Sequence, residues 1–107
     1  MSHVTDILLC TALHDGGMFT GEHPNVSLLN DWLISRYKRP IIFKQINQFA
    51  GGGKSMQADI FGAAINFCDI PELVEQFHLI NWEHPECAQL LIKDENDDKF
   101  VVFNAMI

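Results

Sequence analysis

Between Ile41 and Phe67 two apolar, β-rich arms flank a polar insert. The arms read IIFKQINQF and MQADIFGAAINF, and the insert reads AGGGKS. This spacing predicts a long β-hairpin with Gly51, Gly52 and Gly53 at its tip. In the second arm Phe61, Ala63, Ile65 and Phe67 fall on one face, and Ile60, Gly62 and Ala64 on the other. The first arm carries Lys44, Gln45, Asn47 and Gln48, so it suits a sheet edge. Near the start of the chain, Ile7, Leu9 and Leu13 alternate with Leu8, Cys10 and Ala12. Apolar residues in both phases predict a strand covered on both faces.

Two segments carry the helical period. In the first, Leu29, Trp32, Leu33 and Arg36 recur at helical spacing, with Asn25 or Ser27 as the expected cap and Pro40 as the stop. Arg36, Lys38 and Arg39 crowd its end, where positive charge meets the negative pole of the helix. The second begins at Asp69, with Pro71 in its first turn and Glu72 completing a capping pair. Its buried stripe is Leu73, Val74, Phe77 and Ile80, Trp82 closes the core behind it, and Pro85 breaks the pattern. Gln89–Lys93 and Lys99–Phe103 then form a hairpin around the acidic turn Asp94–Asp98.

The order β-α-β-β-α-β-β predicts a single α+β domain over residues 1–107, a ferredoxin-like βαββαβ sandwich with an extra C-terminal strand. Both helices lie on one face of an antiparallel sheet whose first and third strands are central. The opposite face carries Ile42, Ile46, Ile60, Ala64 and one side of FVVF. Contiguous apolar surface of this kind marks an interface, and a sheet-to-sheet homodimer is the expected cover.

Charge narrows the partners. Fourteen acidic against seven basic residues give a net charge of −7, which disfavours nucleic acid and anionic membranes and suits a basic protein. No stretch approaches the ~18 apolar residues of a membrane span. The three cysteines, Cys10, Cys68 and Cys87, make no paired framework, which points to a reducing, cytoplasmic setting.

Candidate chemistry is sparse. GGGKS ends like a phosphate loop, but the glycine required five residues before Gly53 is Gln48, and a strand follows where a helix should. What survives is a tip whose backbone amides at Gly52 and Gly53, with Lys54, suit an anion. The segment after the first strand gathers His14, Asp15, Glu22 and His23, donor types that suit a divalent ion or a polar ligand. Cys87 lies between Glu86 and an apolar strand start, a poor setting for a reactive thiolate. The acidic turn lacks the glycine and terminal glutamate of a calcium loop.

The expected function is therefore a non-catalytic interaction protein, such as an acidic inhibitor of a basic partner, needing no cofactor and no metal. The alternative is a small enzyme or an anion- or metal-ligand-binding protein. Its ligand-binding residues would be His14, Asp15, Gly52, Gly53 and Lys54, with His23 and Gly51 adjoining.

Overall fold

The computed structural model describes residues 3–17 and 23–106. Alternating apolar side chains build an open antiparallel sheet from β1 (Val4–Ala12), β2 (Lys44–Gln45), β3 (Ala58–Asn66), β4 (Gln89–Lys93) and β5 (Val101–Asn104). The strand order is β2-β3-β1-β4-β5, so the two most apolar strands, β1 and β3, are neighbours and β1 is central. Register aligns their inward positions: Leu9 lies opposite Phe61 on one side and Leu90 on the other, and Ile7 opposite Ala63 and Ile92.

That face is covered by α1 (Pro24–Tyr37) and α2 (Ile70–Leu79). Val26, Leu29 and Leu33 of α1 and Leu73 and Phe77 of α2 share one buried cluster with Ile7, Leu9, Phe61, Ile65, Leu90 and Ile92. Each such large side chain contributes about 1.5–3 kcal/mol through removal from water. Trp82 joins them and donates its indole N–H to the Phe77 carbonyl at 3.2 Å, so its one polar atom is satisfied in the core.

The helix ends differ in how far local chemistry set them. Asp69 caps α2 by accepting the Glu72 N–H at 3.1 Å, as its sequence predicts. α1 starts earlier than expected. His23 is its cap without a side-chain bond, Pro24 occupies the first turn, and Asn25 and Ser27 lie inside the helix. Proline's fixed φ begins the helix one residue ahead of Asn25. The Asn25 amide is instead directed at Asp15 and the Asn81 carbonyl.

The central hairpin is also shorter than its sequence suggests. Only Lys44 and Gln45 pair with β3, opposite Gly62 and Phe61, and Asn47–Phe49 turns into a 3-10 helix. Two asparagines explain this. Asn47 accepts the Ile60 N–H at 2.8 Å and donates to the Ala58 carbonyl at 2.9 Å, standing in for a strand backbone. Asn30 of α1 does the same for Phe43, accepting its N–H at 2.7 Å and donating to its carbonyl at 3.3 Å. Side-chain amides that satisfy backbone groups compete with a regular ladder. Phe67 leaves the inward face expected of it: it lies beyond β3 with φ +56° and is 62% exposed.

Among the described residues, neither α1 nor α2 covers the second face of β1, where Ile46 packs over Gly62. Leu8, Cys10, Ile60, Gly62, Leu91 and Val102 lie there in register. The tail turns away from it, since the Ala105 N–H bonds to the Ala88 carbonyl at 3.0 Å and its side chain packs on the helix-side core. Cover on both faces, as the apolar phases of β1 predict, is met on one face among the described residues.

Candidate metal centre

Antiparallel pairing sets the end of β1 against the start of β3, with Thr11 opposite Asp59 and Ala12 opposite Ala58. Asp59 points to the helix side and is 1% exposed. A buried carboxylate requires donors. Its Oδ1 accepts from Gln45 Nε2 at 2.8 Å and from Asn47 Nδ2 at 3.1 Å. Its Oδ2 accepts the backbone N–H of His14 at 2.8 Å and lies 3.5 Å from His23 Nδ1.

His14 adopts a left-handed φ of +53°, a conformation that disfavours side chains and marks positions held by their surroundings. This turn presents its N–H to Asp59 and folds its ring beside His23, with centroids 6.1 Å apart and planes within 21°. His23 also stands edge-on to Phe61 at 5.0 Å, so one wall of the cluster is apolar. Among the described residues, His14 Nδ1 is buried with no hydrogen-bond partner.

His14, His23 and Asp59 each bring one ligand atom, all within 4.8 Å of one another. Two donors on one tetrahedral ion, each bonded at about 2.1 Å, are about 3.4 Å apart. The His23 Nδ1–Asp59 Oδ2 pair already stands at 3.5 Å, and the widest separation in the trio has to close by no more than about 1.4 Å, within reach of side-chain torsions. Two imidazoles and a carboxylate suit borderline divalent ions such as zinc, cobalt, nickel or iron over magnesium or calcium. The amides of Gln45 and Asn47 on the outer oxygen of Asp59 are the orienting contacts that ligating carboxylates usually have.

The residues expected to bind a ligand divide into three groups. His14 and His23 converge on Asp59, a residue the sequence reading missed. Its signal was available: an aspartate in the inward phase of Phe61, Ala63 and Ile65. Asp15 lies beside His14 but points elsewhere. It is 5% exposed and accepts from Asn25 Nδ2 at 3.0 Å, the Glu83 N–H at 3.1 Å and the His84 N–H at 2.8 Å. With the Gly16 N–H donating to Glu83 at 2.7 Å, it ties the loop after β1 to the segment after α2. Gly52, Gly53 and Lys54 are exposed and line a cavity of about 490 Å³ with Asn47, Ser55 and Met56, and neither His14 nor Asp15 borders it. Gly51 is exposed on the same loop. Glu22 lies outside the described residues.

Other candidate groups are engaged or open to water. Cys87 is exposed on the 3-10 turn Pro85–Cys87. Burial pushes the Cys10 and Cys68 thiols up, away from thiolate character. In the acidic turn, Asp94 accepts from His3 Nε2 at 2.9 Å and from Thr5 Oγ1 at 2.8 Å. These bonds, that from His3 foremost, hold its carboxyl below the usual range, and the same contact raises the His3 imidazole. Compared with protein families, curated proteins and solved structures, the chain matches none.

Proposed function

We propose that this protein binds a borderline divalent metal ion through His14, His23 and Asp59. One observation carries the reading: three good donors converge at one end of the sheet, and one imidazole among them has a buried nitrogen without a partner among the described residues. An ion there would supply that partner and offset the carboxylate charge. The test is a melting series on chelator-stripped protein with zinc, cobalt, nickel, manganese and magnesium. An ion at one hundred times its dissociation constant adds about 2.7 kcal/mol of stability. Zinc, cobalt and nickel should raise the melting temperature and magnesium should not, and His23→Ala should lose the rise. No rise with any ion of the panel refutes the reading.

A second reading is favoured by the sheet face opposite the helices. Leu8, Ile60, Leu91 and Val102 form an apolar surface opposite the helices, with Val102 48% exposed. This supports an interaction protein that pairs sheet to sheet with its own copy. Glu95, Asp97 and Asp98, all exposed, would then meet a basic partner, whereas Asp94 is occupied by His3. Sedimentation equilibrium tests the pairing: Val102→Glu should convert a dimer to a monomer, and a monomeric parent protein ends the reading. We also read the architecture as ferredoxin-like, with β2-β3-β1-β4 as the frame and β5 added beyond β4. The three free thiols accord with a reducing, cytoplasmic setting.

A further inference from the structure

We propose that the ion held by His14, His23 and Asp59 keeps a coordination position open and takes a small anionic oxygen or nitrogen donor there. The proposal rests on the metal reading above and extends it from binding an ion to binding a ligand through that ion.

The donor count is the first argument. Three protein ligands with a vacant position characterise reactive sites, whereas structural zinc sites are closed by four. Among the described residues, His14, His23 and Asp59 make up the cluster. Among the described residues, the neighbouring carboxylates Asp15 and Glu83 are committed elsewhere. Asp15 Oδ1 holds the His84 N–H and its Oδ2 holds Asn25 and the Glu83 N–H, while Glu83 Oε2 holds the Gly16 N–H. Asp59 itself offers one oxygen, because Gln45 and Asn47 occupy Oδ1. An ion of this class has at least four ligands. The remainder must come from outside the cluster.

Charge is the second argument. A divalent ion facing two neutral imidazoles and one carboxylate keeps a net positive charge at the vacant position. Phe61 stands against His23 and keeps one side of the cluster apolar, which strengthens electrostatic attraction. Hydroxide, carboxylate or another small anion is the complementary ligand. His23 is partly exposed, with 18% of its side chain open to solvent, so a small ligand has an approach.

Cobalt substitution tests this without any assay of activity. Chelator-stripped protein is titrated with Co²⁺, and the visible ligand-field band is followed before and after addition of azide or thiocyanate. The expected result is a band at one Co²⁺ per chain that shifts and changes intensity saturably with the anion. Gln45→Ala, which removes one of the two amides on Asp59 Oδ1 while leaving all three ligands, should weaken Co²⁺ binding by about tenfold. A Co²⁺ band that anions leave unchanged means a closed site: it overturns the open position and leaves metal binding standing. Absence of any band, together with no zinc-dependent rise in melting temperature, overturns both.

Discussion

Asp15→Ala separates two roles that one aspartate could have had. If Asp15 is a ligand-binding residue, as its neighbourhood in the sequence suggests, its removal should leave folding stability unchanged or improved. The structure makes it a staple instead, holding three N–H groups from Asn25, Glu83 and His84, the last two 68 and 69 residues away. A hydrogen bond to an ionised acceptor is worth about 1.5–3 kcal/mol. The three losses do not add fully, because the partly buried donors recover water once the carboxylate is gone, so the expected cost is about 2–4 kcal/mol. With an unfolding entropy of about 2.1 cal/mol/K per residue, that cost lowers the melting temperature by roughly 9–18 °C. Urea titration followed by tryptophan fluorescence measures it as a lower midpoint at unchanged slope. Asp15→Asn keeps a carbonyl acceptor and should lose about half as much. A midpoint for Asp15→Ala equivalent to less than about 0.5 kcal/mol of loss would refute the staple.

Leu9→Ala empties the centre of the helix-side core, where Leu9 is fully buried, and should cost about 2–5 kcal/mol by urea titration. Asp69→Ala should cost about 1 kcal/mol, because it removes the cap of α2, whereas Ser27→Ala in α1 should change stability by less than about 0.5 kcal/mol. The His3–Asp94 contact makes melting depend on pH in a definite direction. The raised His3 imidazole stabilises fully below its ordinary value and loses that contribution as pH rises through the raised one. The depressed Asp94 carboxyl stabilises above its ordinary value and loses that contribution as pH falls through the depressed one. The contact is therefore strongest between about pH 4 and 6.5. Scanning calorimetry of His3→Ala should show a flatter fall of melting temperature above that window, with the difference shrinking in high salt because both side chains are partly exposed.

The sequence by itself determined whatever depends on neighbours a few residues apart. Period-two alternation set Ile7 with Leu9, and Phe61 with Ile65, on one side of their own strands, and the Asp69–Pro71–Glu72 run started α2, because phase and capping are local properties. The start of α1 and the short pairing of β2 were misread for a related reason. Asn25 looks like a cap and Asn47 like an edge residue until their distant partners are known. The candidate centre belonged to tertiary structure almost wholly. Asp59 is 45 residues from His14, and only the register of β1 against β3, with the left-handed turn at His14, sets its carboxylate beside two imidazoles. Asp15, one residue along, was turned by the same loop into a structural tie. Chain chemistry fixes which groups exist, but convergence of groups far apart in sequence is decided by packing, and no local pattern encodes it.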